Sequence, residues 1–359
     1  MFEKFLAKKP AHEQTDISRR FNLIGRVGQG SMSKVWKATD LQSGRTVALK
    51  VLDKEKTLKL EDRFKGLKKP TEGDVAISLS HPNIVKTFEF GWTTEDAMFL
   101  VMEFVEGVGL ALLVDLQNEE MKRYRLRYMI QIGEAVQYFH QQNWIHRDIC
   151  PRNVMIGNEK TARLIDFGLA VPNTPEFRRP GNRTGTASYM APELIKRQPT
   201  DQRIDIFSYA VTCFEMYTKR FPWDAALTID TVLQHINKPP VDITTLLPGI
   251  DRQVAAAIMK GLQAKPDDRW QKIGDMVSEI REAEARLVKL AREAAAARAP
   301  VSSGAAAGSV TALGGSHPAP GIGQAPSAPS ESGAAARKPS KKNERSGDDD
   351  IDLTALFAE

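Results

Sequence analysis

Three charged side chains and an asparagine stand within eight residues in HRDICPRN, residues 146–153, just ahead of an apolar run. A loop so short and so polar is suited to chemistry on a charged ligand. Asp148 and Asn153 lie in it, and Asp166 follows in LIDFGLA, at a predicted strand end where Gly168 lets the chain turn. Two carboxylates and an amide oxygen are hard donors suited to magnesium, which prefers oxygen and commonly takes phosphate as a co-ligand. Either aspartate alone would more often be a cap or turn residue. The three in this order make that reading a poor one. Cys150 is the odd residue, because it stands two after Asp148, where a phosphate-handling loop would use a cation.

Phosphates need a cradle and a counter-charge. In GQGSMSKV, residues 28–35, Gly28 and Gly30 allow close backbone approach, although such glycines are a weak signal by themselves. A dinucleotide fold would continue as a helix, whereas SKVWKAT continues as a strand, which suits a flap over a triphosphate. Ser33 takes the place of the usual third glycine and stiffens that flap. In TVALKVL, alternation puts Ala48 and Lys50 on one face, the small residue leaving room for a flat ring and the lysine reaching further along. The apolar flanks of Lys50 imply a partly buried cation that needs an anion. Glu72 supplies one, since Val75, Ala76 and Leu79 follow it at helical spacing. Asp74 is the fallback, because Pro70 and Gly73 could delay or kink that helix.

The elements that must hold these groups follow from periodicity. Residues 21–105 read mainly as short strands with one helix around residues 72–80, and from residue 107 helical spacing takes over. LRYMIQIGEAVQYFHQ puts Leu126, Met129, Ile130, Gly133, Val136 and Phe139 on one face, and IDIFSYAVTCFEMYT forms a second apolar helix. The fold class is α+β: a small strand-rich lobe over residues 21–105, a larger helical lobe over 106–283, and a cleft between them. Residues 1–20 are polar and read as a flexible arm. Residues 284–299 extend a helix in which Ile273, Met276, Ile280, Ala283, Leu287, Leu290 and Ala294 alternate in steps of three and four. That pattern serves a domain-final helix or a dimer through residues 273–294. Residues 300–345 read as a disordered linker, almost all Ala, Gly, Ser and Pro as far as residue 336. The acidic and then apolar peptide 346–359 would place Leu353, Leu356 and Phe357 on one helical face, either to dock on a partner or simply to solubilise.

The 359 residues are 42% hydrophobic and 26% charged, an ordinary globular balance. A net charge of +5 is spread too thinly to argue for nucleic acid but suits a polyanionic ligand. No apolar run is long enough to predict a membrane span, and MFEKFLAKKP lacks a signal-peptide core. With only two cysteines, these features lead us to expect a cytoplasmic protein.

Taken in order, GQGSMSKV, VALK, HRDICPRN, DFG, GTASYMAPE, DIFSYAV and KPDDRW resemble a eukaryotic-type serine/threonine protein kinase over residues 21–283, about three quarters of the chain. Singly these motifs are weak to moderate; together they are highly specific. The resemblance implies a bilobal kinase fold that binds ATP and magnesium (Mg2+) in its cleft. Nucleotide contacts would fall at Gly28, Gly30, Val35, Ala48, Lys50 and Glu72, at the gatekeeper Met102, and at Glu103 and Val105 in the hinge. It implies that Lys50 pairs the phosphates with Glu72, that Asp148 accepts the proton of a protein substrate's hydroxyl, and that Asn153 and Asp166 hold the metal. It further implies His146 and Phe167 in an internal spine, Asp205 bracing the catalytic loop, and Glu193 pairing with Arg269. Thr186 would contact the catalytic aspartate, as in members directed to serine and threonine.

Such kinases usually carry a lysine two after the catalytic aspartate. Here Arg152 stands four after it, an arrangement similar to some tyrosine kinases. An arginine there can reach the same oxygens and stays charged at any working pH, so it is assigned to the transferring phosphate. Cys150 reads as a tolerated small residue, with a redox-sensing thiolate as the alternative. Arg147 resembles the arginine of members whose activation segment is ordered by phosphorylation, with Thr184 the first candidate acceptor and Thr174 and Ser188 the next. Two rivals are disfavoured. A pseudokinase scaffold that binds ATP and recruits a partner would lose Lys50, Asp148 or Asp166, and a small-molecule phosphotransferase would lack GTASYMAPE and Arg269.

Overall fold

The computed structural model describes residues 14–29, 32–180, 184–223 and 238–298. The first lobe is built on six strands: β1 (Gln14–Thr15), β2 (Phe21–Gln29), β3 (Ser33–Asp40), β4 (Thr46–Leu52), β5 (Thr87–Thr93) and β6 (Met98–Glu103). They lie in the order β1-β5-β6-β4-β3-β2, antiparallel except for β1 beside β5. Period-two alternation sorts the two faces. One face packs Phe21, Ala38, Val47, Leu49, Phe99 and Val101 into a buried cluster. The other sets Val35 opposite Lys50 and Ala48 opposite Met102, so four residues expected at the nucleotide share one surface.

Residues 14–20 are not part of a free arm, contrary to expectation. β1 adds a strand to the sheet edge, and Asp16 caps α1 (Ile17–Arg20) by accepting the N–H groups of Ser18 and Arg19. Arg20 makes two 2.7 Å bonds to Glu89 and reaches Asp40 at 3.3 Å. A polar stretch that reads as solvated is therefore fastened by ion pairs to partners far along the chain. Residues 1–13 lie outside the described residues.

Two helices, not one, separate β4 from β5. α2 (Lys54–Asp62) starts at its cap Asp53 and buries none of its residues, so no apolar stripe announces it. α3 (Glu72–Ile77) is less than two turns long. Pro70 precedes the N-cap Thr71, where it breaks no helical bond, and Thr71 and Asp74 close a capping box with bonds of 3.2 and 3.0 Å. Asp74, the fallback for Glu72, is thus a cap and not the inward acid. Gly73 is demanded by packing: a Cβ there would lie 2.3 Å from the Phe90 ring.

The second lobe is helical, with α4 (Leu110–Leu116), α5 (Glu119–Gln141), α6 (Pro192–Ile195), α7 (Arg203–Thr218), α8 (Ile243–Leu246), α9 (Arg252–Gly261) and α10 (Ile273–Arg298). α7 is apolar nearly all round because it is the buried centre. α5 buries Leu126, Met129, Ile130, Gly133, Val136 and Phe139, the face that its spacing predicts. Five short strands frame the cleft side: β7 (Gly107–Gly109), β8 (Trp144–Ile145), β9 (Val154–Gly157), β10 (Ala162–Leu164) and β11 (Val171–Pro172), joined as β10-β9-β7 and β11-β8.

The terminal helix packs further than residue 283. Ile273, Met276, Ile280, Ala283, Leu287 and Ala291 are buried, and Arg286 bonds Asp251 at 2.6 Å. Of the stripe that a dimer through residues 273–294 would use, Ile273 to Leu287 are buried in the chain's own domain, whereas Leu290 is exposed. Residues 292–297 are exposed. Gly30, the linker 300–345 and the peptide 346–359 lie outside the described residues.

Candidate active site

The polar loop after β8 is held from below by α7. Asp205, fully buried, accepts the backbone N–H groups of His146 and Arg147 at 2.8 Å each, and His140 Nε2 lies 2.9 Å from it. Burial pushes this carboxyl up, but the bond from His140 and the histidine charges outweigh it, so Asp205 titrates below its ordinary value. The brace holds Arg147 at φ 72°, a left-handed conformation rare outside glycine. Behind the loop, the rings of Phe139, His146 and Phe167 pack with centroids 5.3, 5.7 and 5.8 Å apart.

Asp148 has both oxygens engaged. The Thr186 N–H donates to Oδ1 at 2.8 Å, and Asn153 Nδ2 donates to Oδ2 and to the Asp148 carbonyl, again at 2.8 Å each. Deeper in the cleft the buried Lys50 ammonium lies 2.6 Å from Glu72 Oε1 and 3.1 Å from Asp166 Oδ1. Burial works against its charge, yet Asp166 and Glu72 together hold Lys50 above its ordinary value. The Gly168 N–H closes its turn onto Asp166 Oδ1 at 3.1 Å. A Cβ on Gly168 would come within 3.1 Å of Glu72 Oε2, so the turn and α3 are in close contact. Gly28 pairs with Val35 across strands. At the hinge, the Glu103 carboxylate turns away to accept the Lys86 N–H at 2.9 Å and lies 3.4 Å from Arg163, with Val105 half-buried beyond it.

The activation segment is anchored by a fork-to-fork ion pair. Arg269 makes two 2.7 Å bonds to Glu193, 76 residues away, with both side chains buried. Residues 21–279 match the family described as the protein kinase domain. The chain belongs to the protein kinase family. A probable serine/threonine-protein kinase of Corynebacterium efficiens is 31% identical over 276 residues, 74% of this chain and 41% of that protein. The serine/threonine-protein kinase PrkC of Bacillus subtilis is 28% identical over 270 residues, again 74% of this chain and 41% of the relative. An Aurora kinase of Saccharomyces cerevisiae is 31% identical over 258 residues, covering 71% of this chain and 67% of that one. The chain spans about two fifths of the length of those bacterial relatives.

Within this kinase domain Cys150 is buried, and burial, then the charge of Asp148, push its thiol up to about 11. A buried thiol held protonated supplies little thiolate near neutral pH, which favours Cys150 as a tolerated small residue over a redox sensor. Arg152 is exposed, and its Nη2 donates to Thr186 Oγ1 at 3.1 Å. Thr186 therefore meets Asp148 through its backbone and Arg152 through its hydroxyl. Thr184, the first candidate acceptor, is buried, and Gly185 beside it has φ 127° and packs against the Arg147 carbonyl, 2.5 Å from where a Cβ would stand. Thr174, bonded to Glu176 at 2.7 Å, and Ser188 are half-buried.

Sequence reasoning passed over Lys69. Its Nζ donates to the carbonyls of Pro70 and Gly168 at 3.3 and 3.4 Å, and it lines the same cleft as Lys50, Glu72, Asp148 and Asp166. Residues 68–70, KKP, carry no apolar periodicity that would mark a partly buried lysine. The proline just before a helix cap is the one local sign that the chain turns inward there.

Proposed function

We propose that the chain is an ATP-dependent serine/threonine protein kinase that moves the terminal phosphoryl group of ATP to hydroxyls on proteins. The observation that carries this reading is the state of Asp148: Thr186 and Asn153 fix its carboxylate beside the ion-paired group of Lys50, Glu72 and Asp166. In this reading Asp148 accepts the proton of the substrate hydroxyl as its oxygen attacks, and Lys50, steadied by Glu72, aligns the phosphates. Arg152 meets the phosphoryl group in transit. Gly28, Gly30 and Val35 cover the nucleotide, and Ala48, Met102, Glu103 and Val105 receive its base.

The donor set fits magnesium. Asn153 uses its amide nitrogen on Asp148, which leaves its oxygen for a cation. Burial opposes the charge on Asp166, but Lys50 keeps the carboxyl below its ordinary value and so ionised. One carboxylate and one amide oxygen, completed by phosphate, suit a hard, octahedral cation, which supplies charge neutralisation on the phosphates when bound.

The reading extends to autophosphorylation within residues 169–191, to a partner docked by residues 346–359, and to action in the cytoplasm. Both Cys150 and Cys213 are free, buried thiols, which suits a reducing compartment. No described helix is long and apolar enough to cross a membrane. Transfer from radiolabelled ATP to a generic basic protein, measured for wild type beside Asp148→Asn, tests the proposal. The variant is expected to lose on the order of a hundredfold or more. Equal labelling by both would overturn it.

A further inference from the structure

We infer that Lys69 is a positioning residue that fastens the turn carrying Asp166 to the helix carrying Glu72. The inference rests on the kinase reading above. Its basis is a closed ring of contacts. Lys69 Nζ donates to the Gly168 carbonyl at 3.4 Å, and the Gly168 N–H donates to Asp166 Oδ1 at 3.1 Å. Asp166 Oδ1 lies 3.1 Å from Lys50 Nζ, and Lys50 Nζ lies 2.6 Å from Glu72 Oε1. Between Glu72 and Lys69 stand only Pro70 and Thr71, both stiff, the first by its ring and the second by the capping box with Asp74.

Such a tie has work to do here. Glu72 sits at the very start of a helix of six residues, so no long helical rod holds it in register. The loop before the helix must supply the anchor, and Lys69 is the side chain that crosses from that loop to the Gly168 turn. A merely solvated lysine would not take this position. Its ammonium lies over the Phe64 ring at 5.8 Å, with Arg147 at 5.9 Å from the same ring. Burial lowers its pKa, and Glu72 and Glu61 partly offset that cost. A second ammonium near Glu72 also shares the load of its buried charge. Lys69 acts through Gly168 on Asp166. Its loss should therefore be felt in how strongly magnesium and nucleotide reinforce each other, more than in nucleotide binding alone.

Calorimetric titration of ATP into the full chain, with and without magnesium, measures the factor by which the metal strengthens nucleotide binding. In Lys69→Met this factor should fall about tenfold, the scale of one charge-assisted hydrogen bond. Affinity without metal should change less than about twofold, and Lys69→Arg, which keeps donor and charge, should retain most of the wild-type factor. Lys69→Gln serves as the neutral variant if Lys69→Met does not fold. A role confined to stability would lower the thermal midpoint and the metal-free affinity together and leave the factor unchanged. An unchanged factor in the neutral variant, or an equal fall in Lys69→Arg, overturns the inference. A wild-type chain whose ATP affinity ignores magnesium would overturn the kinase reading itself.

Discussion

Substituting Arg152 separates the residue that occupies the usual lysine position, Cys150, from the residue assigned the lysine's work. Arg152 Nη2 lies 3.1 Å from Thr186 Oγ1, and the Thr186 N–H lies 2.8 Å from Asp148 Oδ1, so Thr186 alone bridges the guanidinium to the proposed general base. Removing a donor aimed at charge that develops in the transition state costs roughly 2.7–4 kcal/mol, or about 10²–10³ in kcat. Arg152 is exposed, so water recovers part of that loss. Arg152→Ala is accordingly expected at the lower end, about a hundredfold in kcat, with KM for ATP within about threefold. Cys150→Ala removes a buried sulfur, which costs about 1 kcal/mol of stability and less than about threefold in kcat. Arg152→Lys keeps a point charge but not the planar fork and should fall between wild type and Arg152→Ala. Initial rates on a peptide substrate across ATP concentrations, at fixed magnesium, resolve kcat from KM. Equal kcat losses in the two alanine variants, or a rise in KM with kcat intact, would refute the assignment of Arg152.

Arg269→Met should destabilise the fold by roughly 3–5 kcal/mol in urea unfolding, because it strands the buried Glu193 carboxylate; a change below about 1 kcal/mol would show that the pair is not what holds the segment. Asp205 titrates below its ordinary 3.8, so its contribution to stability is full above that pH and fades as pH falls through the folded value. Acid unfolding of Asp205→Asn should thus show a shallower low-pH limb and lower stability near neutrality, and an acid limb like that of wild type would contradict the brace. Burial raises both thiols, Cys150 to about 11 and Cys213 further, so neither should label with maleimide at pH 8 until the chain is unfolded. Rapid labelling of folded Cys150 would restore the redox reading.

Much of the cleft was legible because its residues come in short local strings. Period-two alternation in β4 puts Ala48 and Lys50 on one face, and the strands confirm it by pairing them with Met102 and Leu100. What escaped depends on distance or on missing periodicity. The ordering of residues 14–20 rests on Arg20 reaching Asp40 and Glu89, which no local pattern shows. α2 escaped because it buries nothing. Pro70 and Gly73 looked like breakers, yet one sits outside the helix and the other is required by the Phe90 ring. The heptad steps of α10 were ambiguous for a physical reason, since the same stripe suits a partner helix or the chain's own domain. The structure buries that stripe as far as Leu287 and leaves Leu290 exposed.

The most direct measurement is phosphoamino-acid analysis of protein exposed to the chain and to ATP labelled in its terminal phosphate. Label is expected on serine and threonine, only with magnesium present, and not with Asp148→Asn. Label on tyrosine, or ATP bound and hydrolysed with no protein labelled, would contradict the transfer of phosphate to serine and threonine hydroxyls in this cleft.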